Sequence, residues 1–372
     1  MKNNVNSLLS DTIAFLRFPL IVLVVLGHFN LIEKGFTVNG VMYDLKGDDV
    51  GVIKYIVFLF SHALAHTTVP LFFIISGFFF FKEDEFNKEI YLDKIRNRIK
   101  TLAVPYFLWN LIAIIIKLIA SISSKNVEFH FSIPRLFNTF FYCDNYNGLF
   151  VLLNASNKDA YPIDVPMWYI RDLMIMAIVS PLIYYLLKKM GLWFLMVPGL
   201  LWYSTKTGIV SLDGYYFITA LFFFSWGGYL GVNKQNMIDE MRRFRYAPLL
   251  WALLIVIDAI YNHPSVFYAS ILVGVFSIVQ IAAWLLESGK VKVNKFLVDC
   301  SFIVYAFHFL IIKRIATLIF STLHLPNNQY VLFLAYIIVP SITIIICMLL
   351  YLLLKHKLPA LCNLLTGGRY NR

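Results

Sequence analysis

Apolar side chains run without interruption over long stretches of this chain, and the stretches have the length of membrane spans. A helix needs roughly 20 mainly apolar residues to cross the hydrocarbon core of a bilayer. Ten such runs occur, at about residues 12–32, 52–80, 101–120, 166–187, 191–205, 214–232, 247–262, 265–286, 298–321 and 329–354. A transmembrane β-barrel would show short segments of alternating polarity, whereas these runs are continuously apolar. The pattern predicts an all-α, polytopic membrane protein of about ten transmembrane helices, forming a single membrane-embedded domain over residues 1–372. No internal repeat of the inverted-transporter kind is visible. The first run is too long for a signal-peptide core and lacks a small-residue cleavage pattern after it, so it is expected to persist as a helix.

Composition reinforces this reading. Sixty per cent of the residues are hydrophobic and 14% charged, where a soluble domain carries about a quarter charged residues. The lysines and arginines set the expected orientation. With the N-terminus inside, the inner segments 1–11, 82–100, 188–189, 233–246, 287–297 and the tail from Lys355 hold 20 of the 32 basic residues. The outer loops hold six: Lys34, Lys46, Lys125, Arg135, Lys158 and Lys206. Both termini are therefore expected in the cytoplasm. The net charge of +11 then reflects this inside bias and attraction to anionic membrane lipids. No compact basic domain that would grip nucleic acid is present. The four cysteines, Cys143, Cys300, Cys347 and Cys362, show no metal-binding spacing and read as packing residues. The largest outer loop, about 121–165, has room for a lid or a substrate rim, but not for an appended soluble domain.

Ionisable groups inside apolar runs cost several kcal/mol unless they face the bundle interior or water, so each is a functional candidate. In LRFPLIVLVVLGHF (16–29), Arg17 and His28 are eleven residues apart. At 100° per residue they share one helix face within about 20°, roughly 16 Å apart. The face presents a cation near the inner end and a titratable base in the outer half. The fourth run opens with PMWYIRDL (166–173), which places Trp168, Arg171 and Asp172 near its outer end; Arg171 and Asp172 read equally as a buried ion pair or as participants in chemistry. The ninth run carries His308 at mid-depth and Lys313 and Arg314 further out, and the second holds His62 and His66, with His66 the better reserve base. On the inner side, DKIRNRIKTLAVPYFLW (93–109) gathers Lys94, Arg96, Arg98 and Lys100. Such a cluster marks the inside, and its guanidinium groups also suit phosphates.

These residues fall into a known pattern. The chain resembles the acyltransferase family 3 proteins, bacterial integral-membrane O-acyltransferases that decorate cell-envelope glycans. The resemblance rests on Arg17 and His28 with ten residues between them, on VPLFFIISGFFFF (69–81), on the basic cluster leading to Pro-Tyr in RNRIKTLAVPYFLW (96–109), on MWYIRDL (167–173), and on SFIVYAFHFLI (301–311). The phrases keep the family's order and cover nearly the whole chain. One departure stands out: the family commonly has Arg-x-x-Arg before the third helix, and here Arg98 is followed at that spacing by Thr101. Arg96 or Lys100 would then supply the second donor contact.

The resemblance implies acetyl-CoA, or another acyl-CoA, as co-substrate with no permanently bound cofactor. It implies an envelope glycan or lipid-linked saccharide as acceptor, and a multi-pass location in the bacterial cytoplasmic (inner) membrane. On this expectation the donor docks on Arg96, Arg98 and Lys100, Arg17 stands at the mouth of a passage, and His28 takes the proton of the acceptor hydroxyl. Arg171, or Lys313 and Arg314, would stabilise the oxyanion, Asp172 would orient His28 or neutralise Arg171, and Trp168, His66 and His308 would contact the acceptor. Two alternatives remain at this point: a transporter or flippase for an anionic solute or glycolipid, which explains intramembrane cations but not the ordered phrases, and an inactive structural or sensory relative.

Overall fold

The computed structural model describes residues 2–46, 51–83, 86–122, 127–142, 148–152, 161–210 and 215–369. Lys125, Cys143, Lys158 and Arg372, counted above, lie outside the described residues. In chain order the elements are α1 (Lys2–His28), the hairpin β1 (Phe36–Val38) and β2 (Val41–Tyr43), α2 (Gly51–Phe58), α3 (Ala65–Phe81), α4 (Lys88–Arg98) and α5 (Val104–Ile122). The outer loop contributes β3 (Val127–Phe129), α6 (Ile133–Phe141) and β4 (Phe150–Leu152). Then follow α7 (Trp168–Met190), α8 (Leu192–Lys206), α9 (Tyr215–Val232), α10 (Met237–Arg242), α11 (Ala247–Tyr261), α12 (Pro264–Glu287), α13 (Lys295–Leu323), α14 (Gln329–Lys357) and α15 (Pro359–Thr366).

Among the described residues, seven helical runs are long and apolar enough to cross a bilayer: Ser7–His28, Gly51–Phe81, Lys88–Ser121, Val165–Met190, Pro264–Glu287, Lys295–Leu323 and Gln329–Lys357. The other three apolar runs are helical but shorter. α8 and α11 have 15 residues each, about 22 Å of rise, and the apolar part of α9 is Phe217–Val232. Among the described residues, length and composition thus give seven candidate spans, against the ten expected from hydropathy. The all-α expectation holds for the bundle, with the hairpin β1–β2 and the antiparallel pair β3–β4, which brackets α6, added in the connections.

Two long runs contain π-helical turns, Leu59–Leu64 between α2 and α3 and Ile99–Ala103 between α4 and α5. Each keeps the helix continuous while inserting one extra residue, a device frequent at functional sites. The basic stretch before the third apolar run is therefore helical rather than a loop. At the other boundary, apolar sequence continues to residue 32 but α1 stops at His28. The Asn30 side-chain oxygen accepts from the amides of Ile32 and Glu33 at 3.0 and 3.2 Å, and this side chain-to-backbone turn competes with the helix.

The core is an aromatic and aliphatic filling in which Trp109, Trp202, Phe73, Phe80, Phe223 and Phe224 are fully buried. Its closest crossing joins α3 to α9. A side chain at Gly77 would place its Cβ 2.0 Å from the Phe224 carbonyl oxygen, and one at Gly227 would place it 1.9 Å from that of Ile74. Small residues let two backbones touch where packing, not water, drives association. This rigid crossing holds Ser76 and the Phe79–Phe80 end of α3 against the site described next.

Candidate active site

The Ile13–Val24 part of α1, α3 from Val69 on, α4, the start of α7, the start of α13 and the tail residue Arg369 enclose a cavity of about 1070 Å³. Five cations, Arg17, Lys94, Arg98, Lys295 and Arg369, line it against three carboxylates, Glu83, Asp93 and Asp299. The excess of positive charge suits an anionic ligand. Lys94 is paired with Glu83 at 2.9 Å and also lies 5.4 Å from the centre of the Phe80 ring, with the Arg98 guanidinium at 5.5 Å from the same ring. Stacking on an aromatic face fixes the plane of an arginine without consuming its charge.

The cavity climbs α1 along Ile13, Leu16, Arg17, Ile21 and Val24. Ser76, Tyr169 and Tyr305 line it as well. The Tyr169 hydroxyl is 3.0 Å from the Ser76 hydroxyl and donates to the Phe72 carbonyl at 3.3 Å. The Tyr305 hydroxyl donates to the Pro166 carbonyl. His28 lies four residues beyond Val24, about 6 Å along the axis, and does not line the cavity.

At that far end a histidine cluster forms. His28 faces His308 with ring centroids 5.2 Å apart and meets Phe309 edge-on at 5.0 Å. His308 is wholly buried; its Nδ1–H donates to the Val304 carbonyl at 2.9 Å, which leaves Nε2 as a bare acceptor with no partner. α1 is pressed against the π turn at this level, for a Cβ at Gly27 would lie 3.0 Å from that of Ala65. The turn presents His62, whose Nδ1 is 2.7 Å from Glu33 Oε1 and whose Nε2 is 3.7 Å from Asp258 Oδ2. His66 donates through Nδ1 to the His62 carbonyl at 2.8 Å and is exposed. The hydrogen bond from His62 holds the Glu33 carboxyl below the usual carboxylate range against the opposing effect of burial. Lys34, His66 and Lys313 all lie within electrostatic reach of His28.

The remaining sequence candidates lie elsewhere. Arg171 and Asp172 form a buried pair, Nε to Oδ1 at 2.8 Å, and Arg171 also donates to the Phe141 carbonyl at 2.7 Å while stacking on Tyr142 at 4.7 Å. This pair ties α7 to the end of α6; α7 turns Tyr169, Ile170 and Leu173 to the cavity instead. Trp168 packs beside Phe73 at 6.3 Å. Arg314 is exposed beside Lys313. Arg96 is exposed and paired with Asp93 at 3.0 Å, and neither it nor the exposed Lys100 lines the cavity. Lys295 and Arg369, Tyr169 and Tyr305 within their motifs, and the Glu33 and Asp258 partners of His62 are not named as candidates by the sequence. The two cations resembled ordinary inside markers, and the acid–histidine group joins three separate stretches of chain.

Residues 11–352 match the protein family described as the acyltransferase domain. No curated protein and no solved structure matches the chain. The family match spans both the basic cavity up to Phe302 and the His28–His308 pair, and the helices that carry them have the length and apolarity of membrane spans. The chain belongs to acyltransferase family 3 and is a multi-pass membrane acyltransferase.

Proposed function

We propose that the protein transfers an acyl group, acetyl in the simplest case, from acyl-CoA to a hydroxyl of an envelope glycan or lipid-linked saccharide, with His28 as general base. The observation that carries this reading is the alignment of two chemistries on one helix. α1 shows Arg17 to a cation-lined cavity and, one turn past the end of that cavity, His28 to the ring of the buried His308. In this reading the basic end faces the cytoplasm, with both termini, and the histidine end faces outward across the bacterial inner membrane, as the basic loops suggest.

The nucleotide phosphates of the donor rest among Arg98, Lys94 and Lys295, and the pantetheine arm runs along α1 past Arg17 toward Val24. The neutral His28 imidazole accepts the hydroxyl proton as the acceptor oxygen attacks the thioester carbonyl. The carbon–sulfur bond breaks, the sulfur leaves as thiolate, and the imidazolium returns the proton to it. The ester and free CoA are the products, and charge balances. Lys313, which reaches His28 electrostatically, stabilises the oxyanion in a water-poor site.

Mass spectrometry of envelope glycans from cells with the gene, without it, and with His28→Ala tests this. The acyl mass disappears in both altered strains while the variant protein stays in the membrane. Retained acylation in the variant refutes His28 as base. The cavity would also accommodate an anionic solute for transport; flux into proteoliposomes without donor consumption would replace the acyl-transfer reading.

A further inference from the structure

We infer that Arg369, at the end of the chain, is a donor-phosphate ligand that acts together with Arg98; the inference rests on the reading of acyl-CoA as donor. The stretch after Arg98 brings no second cation to the cavity. Lys100 does not line it, and at the next position Thr101 turns in a buried hydroxyl that finds no partner. The cation at this place comes from the tail.

The route is specific. α14 ends at Lys357 and α15 folds back along α5, where the Trp109 indole N–H donates to the Leu365 carbonyl at 3.1 Å. Gly367 then adopts a φ of +63°, and a Cβ there would lie 2.5 Å from the Thr101 carbonyl oxygen. Only glycine combines that backbone with that proximity. The next turn delivers Arg369, whose Nη1 donates to the carbonyls of Thr101 at 3.1 Å and Thr366 at 2.7 Å. Its guanidinium lies 4.2 Å from the centre of the Phe302 ring and forms part of the cavity wall.

Two carbonyls and an aromatic face thus hold the guanidinium plane before any ligand arrives. A preorganised planar fork is the side chain best matched to phosphate oxygens. Arg98 and Arg369 both act electrostatically on the Tyr169 hydroxyl, so they serve the same region of the cavity. Phe302 stands seven residues, about 10 Å, deeper along α13 than Lys295. Arg369 therefore meets a ligand already inside the mouth. The segment lies beyond residues 11–352, the part that matches the family.

The test uses full-length protein purified in detergent and titrated calorimetrically with CoA and, separately, with acetyl-pantetheine, which lacks the nucleotide phosphates. Wild type binds CoA. Arg369→Gln keeps a donor for the Thr101 carbonyl but loses the charge, and CoA binding weakens tenfold or more, about 1.4 kcal/mol. Arg369→Lys recovers part of the loss, and acetyl-pantetheine binds all forms alike. Equal CoA affinity in wild type and Arg369→Gln overturns the inference while leaving the donor reading intact. A parallel loss of acetyl-pantetheine binding also overturns it, since Arg369 would then merely shape the fold. Failure of wild type to bind CoA removes the donor reading, and Arg369's role with it.

Discussion

His28 and His308 face one another across the α1–α13 contact with ring centroids 5.2 Å apart, and the buried Nε2 of His308 has no hydrogen-bond partner. A buried acceptor nitrogen without a partner among the described residues is an unfavourable arrangement for packing alone. It becomes useful when the neighbouring ring must be held in one tautomer, because a bare acceptor selects the neighbour that offers N–H.

With His28 as the proposed base, His308 is expected to act as its positioning residue. His308→Ala lowers kcat by about tenfold or more, against the roughly 10²–10⁴-fold contributed by a general base itself. It also displaces the acid limb of the pH–rate profile. His308→Gln, which retains a side-chain acceptor, restores part of the rate. An unaltered pH profile in His308→Ala would assign the residue to packing only.

The Arg171–Asp172 pair predicts a different signature. Removing one member of a buried ion pair costs about 3–5 kcal/mol, whereas replacing both with apolar residues is often close to neutral. Asp172→Asn therefore melts well below wild type, and the Arg171→Met/Asp172→Leu double variant recovers much of the difference. The folded fraction of each retains acyl transfer within a few-fold. A double variant that is stable yet inactive would return Arg171 to the chemistry.

At the α3–α9 crossing, Gly227→Ala forces a methyl group to within 1.9 Å of the Ile74 carbonyl oxygen unless the helices separate. Overpacking of this kind costs about 1–3 kcal/mol. The detergent melting temperature falls and activity is lost at lower temperature than in wild type. Gly208→Ala, where a Cβ meets nothing within 4 Å, bears only the local cost of its φ of +80°.

Asp164, just before the Val165–Met190 run, is buried with both carboxylate oxygens unpartnered. Burial raises its pKa well above the usual aspartate range, with Lys117 opposing. A carboxyl whose pKa is raised by folding holds its proton more tightly in the folded state. Its stabilising effect is complete below the ordinary aspartate value and is lost as pH climbs toward the folded value. Asp164→Asn thus melts higher than wild type at neutral and alkaline pH, and the two curves converge in acid. A constant offset at every pH would contradict the assignment.

The helices were legible because bilayer apolarity leaves runs that no other fold needs, and the Arg17–His28 spacing was legible because both lie on one element. The runs at 191–205, 214–232 and 247–262 coincide with α8, α9 and α11 to within a residue, and apolarity alone does not tell whether helices that short cross a bilayer. The first run overstated its length, since apolar composition continues from His28 to residue 32. The π turns left no mark, because shifting one hydrogen bond does not change which residues are apolar. Arg96 was a reasonable cation to choose, but Asp93 sits three residues earlier and captures it at 3.0 Å. Lys295 and Arg369 resemble every other basic residue near a helix end. Only the packing of α13 and the return of α15 turn them toward the cavity.

The cavity ends at Val24, a turn short of His28, with Tyr169 and Tyr305 pinned across the inner fold. Moving one elementary charge through a membrane releases or consumes about 2.3 kcal/mol per 100 mV. An uninterrupted watery bore through this bundle would therefore discharge the cell that made it. On the proposed reading, the turn between Val24 and His28 acts as an insulating septum that a slender thioester arm threads and hydrated ions do not cross. On that reading, an enzyme working across a charged barrier is kept from becoming a leak.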